Sequence, residues 1–387
     1  MERTTANPDV AATPVADLGD LLSGQRPSAT VYLDTRADQD NAAQRAALSW
    51  KELRGQMAGQ GCPEAVLAAV DPLVRDAHLR GACLAVVAGE EGVSYLDHGP
   101  DPVRRDVGRW DSLPSVTPVV EWRQMSPPHL MVVTDRSGAD LVAVGWDGVE
   151  DKESAGGEDG PLSKSAPGGW SQPRYQQRAQ NTWEHNARDV AHEVTRLAER
   201  VAARVIVVAG DVRALSLLRD DLDRETAALL SVAGGGRSED NMEGLAVEVV
   251  KMVADAVARD TVTVLEAWRA GLGRPLHGPS GTPATGRLAV DGPEATLGAL
   301  RAGQVATLLV HDDPDDDRRA WYGPEVGHAA LTATELADLG VDDPTEARLV
   351  DVALRSALGT GARVRVVPRA GGPAGGLGAL LRWPEPG

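Results

Sequence analysis

The sequence predicts an α/β protein of three modules. Helical periods and short β-branched runs alternate along nearly the whole chain, the pattern of helices packed on sheets. At 387 residues the chain also exceeds what one ordinary core spans, so two or three domains are expected. A hydrophobic share of 42% and a charged share of 25% are those of a soluble globular protein. With no Phe and nine Trp, the cores rest on Val, Leu and Ala, with Trp as the bulky filler.

The first module covers residues 1–125. ATVYLDT (Ala29–Thr35) reads as a strand. Helical spacing runs from about Asn41 to Gln60, with Ala47, Leu48 and Leu53 as inward candidates. Gly61, Cys62 and Pro63 break it, and Pro63 suits the first position of a second helix reaching about Leu79. CLAVVA (Cys83–Ala88) and Val93–Asp97 are strands joined by a glycine turn, and weaker strand signals continue through Trp122.

The second module, 126–240, opens at Pro127-Pro128. LMVVTD (Leu130–Asp135) and ADLVAVGW (Ala139–Trp146) flank a tight turn and predict a hairpin. An acidic, Gly/Ser-rich loop and a helix from about Pro173 to Ala203 follow. VIVVAGD (Val205–Asp211) is an apolar run of the kind buried on both faces of a sheet. A helix from Val212 and the loop AGGGRSED (Ala233–Asp240) complete an RNase H-like layered sheet.

The third module, 241–387, begins with a helix over about Met242–Ala270 and the loop Gly273–Gly286. A helix at Pro293–Gly303, a strand at Gln304–His311, a helix at Asp342–Ala357 and a strand at Ala362–Pro368 predict an α/β/α sandwich. Between them, His311, Asp312, Asp313, Asp315, Asp316 and Asp317 read as a solvated charged loop, with a partner surface as the alternative. Consecutive carboxylates form no defined metal cage, and no metal site is expected.

Composition also excludes function classes. Formal net charge is -18, whereas a protein that coats nucleic acid carries broad basic surface; no DNA binding is expected, and any RNA contact must be local. No run approaches the roughly 20 apolar residues of a membrane span. The N-terminal residues lack a secretion-signal pattern, so a cytoplasmic protein without a membrane partner is expected. Cys62 and Cys83 make no C-x-x-C. The loop Ala233–Asp240 lacks GK[ST], and no G-x-S-x-G elbow occurs, so neither a nucleotide cofactor nor a serine nucleophile is expected.

The local basic element lies in SKSAPGGWSQPRYQQRAQNTWEHNARDVAHEV. Between Pro161 and Trp183 stand Lys164, Arg174 and Arg178 and no acid, while Asp147–Asp159 just upstream carries six acids and one Lys. Trp183, Ala187, Val190, Val194, Leu197 and Val201 recur at helical spacing, forming an apolar face. Arg174, Arg178, Asn181, His185, Arg188, His192 and Arg196 fall opposite, while Glu184, Asp189, Glu193 and Glu199 dilute the stripe toward its C-terminal end. The undiluted turns adjoin Gly168-Gly169, where the helix dipole and free N–H groups favour phosphate. Glycines let the backbone approach a ligand, Ser171 or Gln172 suits the cap ahead of Pro173, and Trp170 can stack on a base or an apolar wall.

GGWSQPRYQQRAQNTWEHNARDVA resembles the tip loop and following helix of class I release factors of eukaryotes and archaea. LRAGQVATLLV with GGPAGGLGALLRW resembles the C-terminal domain of release factors and Pelota. The similarity covers roughly Leu130–Trp383, and the group it most resembles is the bacterial branch of this superfamily, that of the Balon-like hibernation factors of actinobacteria. The resemblance implies a three-domain release-factor/Pelota-like architecture and a ribosome-binding protein. In release factors a glutamine after the two glycines positions water for ester hydrolysis. Here Trp170 takes that place and the next glutamine is Gln172; the codon-reading NIKS motif is absent. A two-residue shift moves an amide by several ångströms, at about 3.3–3.6 Å per residue, and water positioning fails at about 1 Å.

The resemblance therefore implies a hibernation factor that occupies the A site of the 70S ribosome, its Gly168-Gly169 loop reaching the peptidyl transferase centre, with elongation factor Tu as a possible escort. Gly168, Gly169, Trp170, Ser171, Gln172, Arg174, Arg178, His185 and Arg188 are the expected RNA contacts. The alternatives are a peptidyl-tRNA hydrolysing release or rescue factor using Gln172, and a stress-related binding protein acting away from the ribosome.

Overall fold

A computed structural model describes residues 13–384, apart from positions 14, 25, 38–40, 100–102, 136–137, 147–149, 157–171, 235–241, 274–275, 278–282 and 285–286. The chain divides into two units, one built from residues 1–124 with 260–387 and the other from 125–259.

In the first unit the N-terminal segment runs α1 (Ala16–Ser23), β1 (Ser28–Asp34), α2 (Ala42–Gly59), α3 (Glu64–Arg75), β2 (Cys83–Gly89), β3 (Gly92–Gly99), β4 (Val107–Asp111) and α4 (Thr117–Met125). Its sheet has the order β3-β2-β1-β4, antiparallel throughout. Strand alternation sends Val31, Leu33, Leu84 and Val86 to one face, where they pack with Trp50, Leu53, Met57, Leu67 and Val70 of α2 and α3. The inward face of α2 is Ala42, Ala46, Trp50, Leu53 and Met57. Of the three expected inward residues only Leu53 belongs to it; Ala47 and Leu48 are exposed, because the buried Trp50 sets the rotation of the helix. The strand signals through Trp122 give way to helix at α4, where Pro118 stands near the start and removes no helical hydrogen bond.

The second unit runs β5 (His129–Thr134), β6 (Gly138–Val144), β7 (Glu150–Gly156), α5 (Gln172–Val201), β8 (Val205–Gly210), α6 (Val212–Asp221), α7 (Arg224–Ala228), β9 (Leu230–Val232) and the first half of α8 (Met242–Gly273). The sheet order is β7-β6-β5-β8-β9, with β5, β8 and β9 parallel and β6 antiparallel to both of its neighbours, the RNase H-like arrangement. Leu130, Val132, Leu141, Ile206 and Val208 face α5, while Val133, Val205, Val207 and Ala209 face Leu245, Val249 and Val253 of α8. Burial on both faces explains the unbroken apolar run of β8. Gly210 ends that strand at φ 144°; a Cβ there would lie 1.8 Å from the Thr134 carbonyl oxygen, so only glycine fits. The acidic stretch read as a loop is in part strand β7, which pairs with β6 from Glu150↔Val144 to Gly156↔Gly138. An edge strand tolerates charge because its outer rim meets water.

The C-terminal segment, in the first unit, continues with β10 (Leu276–His277), β11 (Pro283–Ala284), β12 (Ala289–Asp291), α9 (Pro293–Arg301), β13 (Val305–Val310), β14 (Arg319–Tyr322), β15 (Ala329–Ala330), α10 (Ala333–Ala337), β16 (Thr345–Arg348), α11 (Leu349–Gly359), β17 (Arg363–Val366) and β18 (Leu377–Leu381). Two expectations change. The loop Gly273–Gly286 holds the short ladder β10–β11. The helix expected over Asp342–Ala357 begins only at Leu349, because residues 345–348 pair with β14. The main sheet, β12-β18-β13-β17, packs Ala289, Leu309, Val367 and Leu380 on Val264, Leu265 and Trp268 of α8. Its other face packs Leu308, Val310, Ala379 and Leu381 on α9 and α11, which makes an α/β/α sandwich.

One apolar cluster joins the N- and C-terminal segments, running from Leu18, Leu22, Tyr32, Val119 and Val120 to Leu349, Val352 and Leu354. Gln124 seals it by donating to the Val366 carbonyl (2.8 Å) and accepting from the Val366 N–H (2.9 Å).

Candidate functional site

The second unit presents α5, a helix of 30 residues. The first turn begins at Gln172 with Pro173, which costs no intrahelical hydrogen bond there. The helix ends where Ala202 turns left-handed (φ 53°) and the Ala203 N–H reaches back to the Ala198 carbonyl at 2.8 Å. Val190, Val194 and Leu197 are at most 2% exposed against the sheet, which is the apolar face the spacing predicts.

The opposite face carries the expected cations unequally. His185 and Arg188 keep 71% and 61% of their side-chain surface exposed. Their nearest acids, Asp189 at 3.7 Å and Asp221 at 4.0 Å, lie beyond hydrogen-bond reach. His192 is exposed as well. Gln172, Arg174 and Arg178 belong to the first two turns of α5, but their side chains, like Gly168, Gly169, Trp170 and Ser171, lie outside the described residues.

Farther along the helix the cations are engaged. Arg196 Nη2 donates to Glu153 Oε2 (2.5 Å) and pairs with Glu193. Arg200 donates to Asp151 Oδ2 (2.5 Å) and Glu153 Oε1 (3.1 Å). The Arg196 hydrogen bond holds the Glu193 carboxyl below its ordinary range. Asp151 and Glu153, which hold these arginines, are not among the residues singled out from the sequence. Their signal is the alternation Asp151-x-Glu153-x-Ala155, period 2 inside a stretch read as a loop.

The acidic loop after β13 is not simply solvated. It wraps Arg348, whose side chain is 2% exposed. The guanidinium donates to the carbonyls of Asp316 (2.9 Å) and Asp313 (2.9 Å), to Ser115 Oγ (3.0 Å) and to the Asp312 carboxylate. Asp351 lies 3.8 Å away, fully buried, and burial pushes its carboxyl up to about 7 against the pull of Arg348. Around this cluster, Arg109 reaches Asp317 (2.8 Å), Arg105 pairs with Asp315, and Arg319 reaches Asp111 (2.6 Å). Most of the loop's charge is therefore spent inside the first unit.

Among the described residues no group of three or more His, Cys, Asp or Glu is placed to hold a metal ion, and no helix is long and apolar enough to cross a membrane. Asp135 and Asp211, at the ends of β5 and β8, are occupied locally. Asp135 accepts from the Gly138 N–H, and Asp211 caps α6 through the Arg213 and Ala214 N–H groups.

Residues 128–274 match the family model "Bacterial archaeo-eukaryotic release factor family 2". An uncharacterized protein of Mycobacterium tuberculosis, found in two strains, is 25% identical over 372 residues, covering 94% of this chain and 95% of its own. Among solved structures, the archaeal translation termination factor aRF1 is 17% identical, covers 95% of this chain and 96% of that one, and has a TM-score of 0.25. Pelota of Archaeoglobus fulgidus is 16% identical, over 79% and 81% of the two chains, with a TM-score of 0.33. Dom34 of S. cerevisiae, a translation termination-like factor, is 11% identical over 78% and 82%, with a TM-score of 0.38. The segment 128–274, which holds the sheet of the second unit, α5 and α8, is therefore similar to the bacterial branch of the archaeo-eukaryotic release factors.

Proposed function

We propose that this protein is a cytoplasmic ribosome-binding factor that occupies the vacant A site of the 70S ribosome in idle cells, contacting rRNA through α5 and the loop before it. The observation that carries the reading is the division of α5. One face is packed on the sheet, and the other leaves His185 and Arg188 exposed on the stripe that Arg178 and Arg174 continue toward Gly168-Gly169. On a chain of net charge -18 this is a local basic element on an acidic body, suited to entering an RNA cavity without binding RNA indiscriminately. The second unit, 125–259, would then bear the tip, and elongation factor Tu would be the escort.

The test is co-sedimentation with 70S particles from stationary cells. Arg174→Glu/Arg178→Glu should abolish it; unchanged binding would sink the tip-contact reading. No association of the native protein would favour a stress-related role away from the ribosome. Hydrolysis is the second reading, favoured by the place of Gln172 at the first turn of α5. Ribosomes carrying peptidyl-tRNA decide it: peptide release that disappears in Gln172→Ala establishes the enzyme, and retention of the peptide establishes occupancy.

A further inference from the structure

The basic stripe of α5 is longer in sequence than the part left open to a ligand. Strand β7 covers its C-terminal end. Alternation along β7 points Asp151, Glu153 and Ala155 to the side of the sheet that packs on α5, because their partners Ala143, Leu141 and Ala139 belong to the core beneath that helix. Ala155 packs there as an apolar residue should. The other two positions carry carboxylates instead, and both meet arginines one helical turn apart, Arg196 and Arg200. Glu153 bridges the two, at 2.5 Å and 3.1 Å, while Asp151 takes the second donor of Arg200 at 2.5 Å. Glu150 and Lys152, on the opposite side of the strand, pair with each other at 3.1 Å.

We propose that β7 is an acidic strap that holds Arg196 and Arg200 with carboxylates where RNA phosphates would otherwise sit, confining polyanion binding on α5 to the turns from Arg188 toward Gln172. This deepens the proposed function and rests on its premise that α5 faces RNA. A carboxylate accepts from a guanidinium with the same fork geometry as a phosphate. The pairs are exposed, 38–41% on the arginines and 30–52% on the acids, so their net contribution to stability is small. Their effect falls on selectivity: the acids withhold two cations from any passing RNA strand.

The experiment uses the full chain with Asp151→Asn/Glu153→Gln, which keeps the size and hydrogen-bonding capacity of both side chains. Binding to a single-stranded polyuridylate oligomer is measured against salt concentration. The slope of log affinity on log salt should steepen by about 0.7, for Arg200, which the strap acids hold, while Arg196 keeps its pairing with Glu193. Adding Arg196→Gln/Arg200→Gln to that variant should return the slope to the native value. An unchanged slope, or a steepening that survives the added arginine substitutions, overturns the strap. The ribosome arm separates the two proposals. If Arg174→Glu/Arg178→Glu leaves co-sedimentation intact while the strap variant still steepens the slope, the tip reading fails and the strap stands. If co-sedimentation is lost and the slope is unchanged, the tip reading stands and the strap fails.

Discussion

Arg348 and Arg188 show two opposite uses of the same side chain in one protein. Arg348 is buried in the first unit, its donors met by two carbonyls, a hydroxyl and a carboxylate. Arg188 stands on α5 of the second unit with 61% of its side chain in solvent and no acid within 3.5 Å among the pairs of the described residues. The first is a structural cation, which turns the acids of the 312–317 loop into a lining and ties the N- and C-terminal segments together. The second is available. Charge pattern alone does not separate them, since each lies near acids in sequence; what separates them is whether the chain returns to enclose the guanidinium.

Breaking the enclosed cation should have the largest effect. Arg348→Ala leaves Asp312 and Asp351 without their partner, one of them fully buried, and should cost about 3–5 kcal/mol of unfolding free energy in urea titration. A loss below about 1 kcal/mol would mean that the cluster is as solvent-like as the α5 pairs.

A pH series sharpens the same side. The carboxyl of Asp351 rises from its ordinary 3.8 to about 7 in the folded protein, so folding takes up a proton between these values. Stability from this group is full below about pH 4 and is lost as pH rises through 7, with a slope of up to about 1.4 kcal/mol per pH unit. Asp351→Asn should flatten that part of the stability–pH curve; a curve of native steepness in the variant would assign the dependence elsewhere.

The exposed side should respond far less in stability. Arg200→Ala removes two surface pairs and should cost no more than about 1 kcal/mol. Arg188→Ala should change stability by less than about 0.5 kcal/mol while making RNA or ribosome binding less salt-sensitive by about 0.7–0.9 in slope. A large stability loss at Arg188 would place it with Arg348 and against a ligand-facing role.

Much of this architecture was legible in the chain. The run VIVVAGD became β8, buried on both faces as its lack of alternation required, and the spacing from Ala187 to Leu197 became the packed face of α5. The misreadings share one cause. Leu48 looks inward by hydrophobicity, but the buried Trp50 turns α2 and leaves Leu48 60% exposed. Residues 345–348 continue a helical pattern yet pair with β14, and 150–156 look like a polar loop yet pair with β6. In each case a packing or pairing partner overrides local propensity. The candidate site was legible as a basic helix next to a glycine loop. The limit set on it by β7 was not, because Asp151 and Arg200 are 49 residues apart.

By itself, then, the sequence determined the α/β class, the two-faced character of α5, and the family similarity carried by residues 128–274. These depend on periodicity and local spacing, which a linear string contains in full. Only the tertiary structure decided which charges are spent. Arg348, Arg196 and Arg200 find acids brought to them by loop closure and strand pairing, whereas Arg188 keeps its exposure. Electrostatic pairing depends on distance in space, falling off over a few ångströms of hydrogen-bond reach, and the order of residues along the chain does not contain that distance.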